Sequence, residues 1–192
     1  MLYKYRQIQN RYWDAVRENL VLSNKDVSLS GKLSKNIILQ QESEGLTVQT
    51  IKVQDVEHKR EVPLQSLIKT DQQSVLCFRF RENDCDACVQ QSLSLLKEVS
   101  EYFPEKGIAI LSGYGNVRQF QAYAQSTDKH LFLVYNVDTV SIAAENQEQP
   151  YFFVLTHEYK IQNVFIVCKE DAQLTAEYLH SMAHKYWAVH KH

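Results

Sequence analysis

The sequence predicts an α/β chain in which a central mixed β-sheet is flanked by helices, with an N-terminal helix and a β-hairpin ahead of it. Three observations carry this. Between Ser74 and Tyr135, strand-like apolar runs alternate with helical patterns in the order β-α-β-α-β, which implies parallel strands covered by helices. From Pro150 to Lys169 two apolar runs are joined by the short turn His157-Glu158-Tyr159-Lys160, the signature of an antiparallel hairpin. Finally, Ala172, Thr175, Ala176, Leu179, Met182, Ala183 and Tyr186 share one helical face, so a long closing helix is expected to cover the sheet.

Each element has its own local reason. Tyr5, Ile8, Tyr12, Ala15, Val16 and Leu20 recur at three- and four-residue intervals, with Lys4, Arg6, Arg11 and Arg17 on the polar side; this is an amphipathic helix. A polar stretch from Ser23 to Lys35 follows, and then two strand-like runs, "NIILQ" and "LTVQTIKV", separated by "QESEG". In the second, Leu46, Val48 and Thr50 alternate as in a half-buried strand. "SVLCFRF" is rich in strand formers. Val89, Leu93, Leu96, Val99 and Phe103 then form an apolar helical stripe that Pro104 and Gly107 terminate. "IAIL" is the next strand, "NVRQFQAYAQS" a helix capped by Asn116, and "HLFLVY" a third strand. The expected division is an extension over residues 1–45 and the α/β domain over 46–192.

Composition narrows the function classes. A chain of 192 residues with 44% hydrophobic and 23% charged content has material for one well-filled core. Its 21 basic and 23 acidic residues are interspersed, so no electrostatic footprint for nucleic acid appears. No run of about 18 apolar residues occurs, and the N-terminus lacks the apolar core of a signal peptide. Cys77 and Cys168 lie inside apolar strand-like runs, where a thiol acts as a small core hydrophobe. Cys85 and Cys88 form a C-x-x-C in "RENDCDAC". By spacing alone this is a redox dithiol, half of a zinc site, or two neighbouring thiols. Zinc needs two further ligands, and there is no second C-x-x-C; no metal is expected. His180 and His184, four apart, and the tail His190 and His192 read as surface histidines. "GYG" at Gly113 to Gly115 reads as a strand-to-helix turn, because Arg118 stands where a dinucleotide fingerprint needs its third glycine.

A C-x-x-C at the junction of the first strand and helix, in a β-α-β block followed by β-β-α, resembles the thioredoxin fold. Pro150 before "YFFVL" resembles that fold's cis-proline. It stands 65 positions after Cys85, a separation that leaves room for an extra strand and helix and resembles the TlpA/ResA-like branch of redoxins, relatives of the peroxiredoxins. "DVEHKREVPLQSLIKTDQQSVLCFRF", with Val62 and Leu64, is similar to that branch's lead-in, and the resemblance spans roughly Leu46 to Trp187.

The resemblance implies a thiol–disulfide oxidoreductase acting on protein substrates. Cys85 is then the exposed nucleophile at a helix N-terminus, where backbone N–H groups and the dipole favour a thiolate, and Cys88 the buried resolving thiol. Gln149 and Pro150 are implied to dock substrate backbone beside Cys85, through a cis Gln149–Pro150 bond. No cofactor is implied, because the dithiol holds the electrons; an upstream dithiol donor is. Members of the branch are bacterial proteins of the periplasm or cell envelope, often membrane-tethered, so a removed N-terminal anchor is compatible with the basic start; the cytoplasm is the alternative. Two departures matter. Arg79 stands where thioredoxins bury a proton-relaying acid, with Glu82 and Glu158 as the acids that stand in for it only if the fold brings them near, and Asp84 replaces an aromatic residue before the first cysteine. The peroxiredoxin set of Pro, Thr and Arg around one cysteine is missing from "RENDCDAC", which disfavours peroxidase chemistry. Asp84 and Asp86 flank Cys85, with Glu82 close by, so they oppose developing thiolate charge and point to a reductant. The alternative is a catalytically inactive binding module on the same scaffold.

Overall fold

Strand alternation explains how the core divides. Along "SVLCFRFR", Val75 and Cys77 enter one apolar cluster while Leu76, Phe78 and Phe80 enter another, as expected when successive side chains of a strand buried on both faces point opposite ways. The computed structural model describes residues 27, 30–31, 33–48, 50–55, 60–69, 73–167, 169 and 171–187. By its contacts the chain forms two units, Met1–Ile38 and Leu39–His192. The described residues of the first are helical, and there the Ser34 hydroxyl donates to the Ser30 carbonyl at 3.0 Å. The amphipathic stretch expected over Tyr5 to Leu20, Cys168, His190 and His192 lie outside the described residues.

The second unit carries β1 (Lys52–Asp55), β2 (Arg60–Pro63), β3 (Ser74–Arg81), α1 (Asp86–Val99), β4 (Ile108–Gly113), α2 (Val117–Ser126), β5 (Phe132–Asn136), β6 (Tyr151–Thr156), β7 (Ile161–Ile166) and α3 (Ala172–Trp187). The described strands form one sheet in the order β2-β1-β5-β4-β3-β6-β7. β3, β4 and β5 are parallel. β6 runs antiparallel to β3 and pairs with β7 as a hairpin, so the expected mixed sheet is the observed one. β1 and β2 form an N-terminal hairpin joined to the sheet through β5, in which the end of "LTVQTIKV" pairs with Arg60–Pro63 and not with "NIILQ".

One sheet face buries Val75, Cys77, Leu111, Tyr151 and Phe153 under Leu39, Leu64, Leu67 and Val140. The other buries Phe78, Ile110, Phe152 and Val154 under Leu96 and Val99 of α1 and Leu179, Met182 and Trp187 of α3. Phe78 is fully buried and stacks on Phe152 at 4.7 Å between centroids; emptying such a site costs about 3–5 kcal/mol.

Two local expectations are corrected. "NIILQ" is helical, as are residues 33–43. Its β-branched run suggested a strand, but Asn36, Leu39 and Ser43, three and four apart, are the buried positions of that segment, and Gly45 at φ 79° ends it as a left-handed helix stop. "LTVQTIKV" becomes strand only at Lys52. Thr47 bridges Lys160 at the β7 edge, and the Ile51 N–H donates to the Val48 carbonyl at 3.0 Å, a turn that redirects the chain toward β1. The helix after the cysteines stops at Val99 and continues as a 3-10 turn over Ser100–Tyr102. Pro104 to Gly107 then form a tight turn with Lys106 at φ 59°, in which a Cβ on residue 107 would lie 2.8 Å from the proline ring.

Candidate functional site: a dithiol at a helix N-terminus

β3 delivers the cysteines. Its last residue, Arg81, opens a turn in which the Asp84 N–H donates to the Arg81 carbonyl at 3.1 Å. The Asp84 carboxylate in turn accepts from the Arg81 backbone N–H at 2.8 Å and from its guanidinium at 3.0 and 3.3 Å. That clamp sets the direction in which the chain enters α1. Cys85 is the N-cap, and its Sγ accepts from the Cys88 N–H at 3.3 Å. Cys85 and Cys88 are joined as a disulfide with Cα atoms 5.2 Å apart. Cys85 is half-buried and Cys88 is buried in the apolar cluster beneath α1. The first sulfur, which the resemblance implies to be exposed, belongs to a half-buried residue, the second is buried, and a backbone donor is aimed at the first.

The charges around Cys85 differ from one another. Asp84 is almost fully buried and neutralised by Arg81. Asp86, in the first turn of α1, and Glu82 are exposed. Glu82 accepts from the Gly115 N–H at 3.4 Å. Burial raises the Tyr114 phenol above its ordinary range, and the charges of Glu82 and Asp86 raise it further. Tyr114 belongs to an aromatic group with Phe80, Phe120 and Tyr123 at centroid distances of 5.6–6.5 Å, packed on the cluster that holds the cysteines. Its backbone is tied down by Asn136, whose Oδ1 accepts from the Tyr114 N–H at 2.8 Å and whose Nδ2 donates to the Tyr114 carbonyl at 2.9 Å.

Arg79 follows the strand alternation onto the opposite face. It is fully buried and ion-paired with Glu145 at 2.9 Å. Its Nη1 donates to the carbonyls of Phe80 and Val137, both at 3.1 Å, and Nη2 to Asp138 at 2.8 Å. The guanidinium thus ties the C-terminal ends of β3 and β5 together. A Cβ on residue 113 would lie 2.6 Å from it, which explains the glycine there. Glu145 Oε1 also accepts from the Val140 N–H and the Tyr151 hydroxyl, each at 3.0 Å. Burial raises the Glu145 carboxyl, but the Arg79 hydrogen bond and charge outweigh it and hold the group below the usual carboxylate value.

No protein-family model matches the chain, and no curated protein does. Solved structures do. A thiol:disulfide interchange protein from Bacteroides sp. is 15% identical with a TM-score of 0.51, the match covering 77% of this chain and 92% of that one. Reduced Prx3 from Vibrio vulnificus, solved in complex with H2O2, is 10% identical with a TM-score of 0.51 over 72% of this chain and 97% of that one. The chain has the thioredoxin-like fold. In this thioredoxin-like domain Tyr151 pairs with Arg79 across β3 and β6, so Gln149 and Pro150 come to the sheet end where β3 leads to Cys85. The Gln149–Pro150 bond, expected cis, is trans: no cis peptide occurs among the described residues. The reversal into β6 is made one residue earlier, by Glu148 at φ 51°, and an X–Pro bond left unconstrained favours trans. Pro150 is buried and its carbonyl accepts from the Val167 N–H at 3.0 Å, whereas Gln149 is exposed.

Cys85, Cys88 and Asp86, grouped by sequence reasoning, lie together at the start of α1, while Arg81 and Tyr114 beside them were missed. An arginine three residues before an aspartate in a turn was a signal for the first. The tyrosine inside "GYG", read only as a turn, was the signal for the second.

Proposed function

We propose that this chain is a thiol–disulfide oxidoreductase for protein substrates, working as a reductase through Cys85 and Cys88. The observation that supports it is the pair itself: a half-buried N-cap sulfur facing the Cys88 amide, disulfide-linked to a buried sulfur one turn later. In the reduced state the Cys85 thiolate attacks one sulfur of a substrate disulfide. A Cys85–substrate disulfide forms, and the other substrate sulfur leaves as a thiolate and takes a proton. Cys88 then gives up its proton and attacks Cys85 Sγ, releasing the second substrate thiolate. Two electrons pass to the substrate, the Cys85–Cys88 disulfide closes, and an upstream dithiol protein restores it by the reverse exchange. Gln149, the exposed residue of the Gln149–Pro150 pair, aligns an extended substrate. Direction follows from Glu82 and Asp86, whose exposed charges oppose the thiolate and so favour the disulfide form of the enzyme. A reductase is needed where disulfides form, and the reading carries a cell-envelope or periplasmic location with a membrane tether upstream. No helix among the described residues is long and apolar enough to cross a membrane.

Insulin-disulfide reduction tests this. Wild type should turn over, and Cys85→Ser should lose at least about a hundredfold. Cys88→Ser should accumulate covalent substrate adducts visible by mass. The reduction potential should lie nearer about −270 mV than about −120 mV. A pair that never cycles would leave the fold as a binding scaffold.

A further inference from the structure

We propose that the cleft beside the dithiol seats a cationic segment of the substrate polypeptide, an inference that rests on the thiol–disulfide reading and names the substrate's charge. The cleft, about 780 Å³, opens at the C-terminal ends of β3, β4 and β5, and its wall includes Arg81 to Asp84, the run that ends one residue before Cys85. Its charged residues are five carboxylates, Glu61, Glu82, Asp84, Asp138 and Glu148, against the two cations Lys52 and Arg81. Two are matched internally: Glu61 lies 3.9 Å from Lys52 and Asp84 is held by Arg81. Glu82, Asp138 and Glu148 line the cleft and are exposed; their carboxylates form no ion pair among the described residues, Arg79 meeting only the backbone carbonyl of Asp138. Tyr114 and the half-exposed Val117 line the same cleft and provide an aromatic and an apolar surface. Together these suit a lysine or arginine, whose stem packs on apolar surface while its head meets a carboxylate or an aromatic face.

The seat is prebuilt. Asn136 fixes the backbone of Tyr114, and Glu148 is held in a left-handed turn. A metal ion is the poorer occupant, since no group of three His, Cys, Asp or Glu among the described residues is arranged to hold one. The acidic rim shares Glu82 with the charges that oppose the Cys85 thiolate, and on the substrate it acts through charge. It selects by attracting cationic approaches and repelling anionic ones, an effect that acts on encounter and fades with salt.

Two labelled peptides of equal length test it, each with one disulfide, flanked by lysines in one and by glutamates in the other. Binding is read by anisotropy on the Cys85→Ser/Cys88→Ser protein, which cannot exchange. The lysine peptide should bind roughly tenfold tighter at about 0.01 M ionic strength, and the preference should shrink several-fold at about 0.15 M. Glu82→Gln/Asp138→Asn/Glu148→Gln should bring the ratio to about one, and Glu148→Gln alone, at an exposed side chain, should lower it about twofold. Equal binding of the two peptides, or a preference that the triple variant leaves intact, would overturn the proposal. Reduction of both peptides by the wild type is read separately: if neither is reduced, the reductase reading falls while the binding arm still decides the cleft.

Discussion

Arg79 and Phe80 are neighbours on one strand and belong to different worlds. Arg79 enters a face where one buried cation, one carboxylate and a fan of carbonyls satisfy one another, and nothing is left to react. Phe80 enters the face where Tyr114, Tyr123 and the cysteines meet, and where one sulfur is left half-exposed. The difference teaches how strand parity divides the sheet: it sends Arg79 to the far side, where the guanidinium closes the end of the sheet.

The largest effect should come from breaking the closed face. Arg79→Met leaves Glu145 buried without its cation and the carbonyls of Val137 and Asp138 without a donor, a loss of about 3–5 kcal/mol in urea denaturation. Arg79→Met/Glu145→Leu should be less damaging than the two single losses added, by a coupling of about 1–3 kcal/mol. If Arg79→Met instead kept wild-type stability but shifted the potential of the dithiol, the separation of the faces would be wrong.

The same face sets the pH limits. The folded carboxyl of Glu145 is lowered from 4.5, so its contribution is present above that value and is lost as pH falls through the folded one. Glu145→Gln should flatten the acid limb of a stability profile. The Tyr151 and Tyr178 phenols are raised well above 10.0, in each case mainly by burial. Their contribution is complete below pH 10 and is lost as pH rises further, because the unfolded chain ionises first. Denaturation midpoints should therefore fall from about pH 10 upward, and Tyr151→Phe should lessen that fall.

Thiol reactivity compares the faces directly. Cys77 is fully buried, and burial pushes its thiol far up. Peptide mapping after brief iodoacetamide treatment of the reduced protein should find Cys85 modified at least about tenfold more than Cys77. Comparable labelling would mean that the face around Cys77 opens in the native state.

Much of this was legible because period and residue type agree. "SVLCFRF", the hairpin from Pro150 and the stripe of α3 each carry one reading, and the fold follows from their order. Residues 36–40 were not legible, since a β-branched run is ambiguous over five positions and the decision came from burial of Leu39 together with the stop at Gly45. The role of Arg79 was hidden for another reason. Its partner Glu145 lies 66 positions away, and no local pattern announces a pairing that only the sheet creates. The trans bond at Pro150 depended on Glu148 taking a left-handed conformation, which glutamate does not advertise.

The smallest expected effect is the one that sharpens the open face. Asp84 and Asp86 flank Cys85 symmetrically in sequence, yet Arg81 cancels only Asp84. Asp86→Asn removes an exposed, uncancelled charge next to the sulfur, which should make the thiolate easier to form and the potential less negative by about 10 mV, the equivalent of roughly half a kcal/mol for a two-electron couple. Asp84→Asn removes a charge already matched and releases Arg81, so its direct electrostatic effect on the sulfur is smaller and its main consequence is a looser turn, worth about 1 kcal/mol of stability. Equilibrating both variants with a glutathione redox buffer separates the two. A larger potential shift from Asp84→Asn than from Asp86→Asn would show that the Arg81 clamp, and not the bare charge at the helix start, sets the poise of the pair.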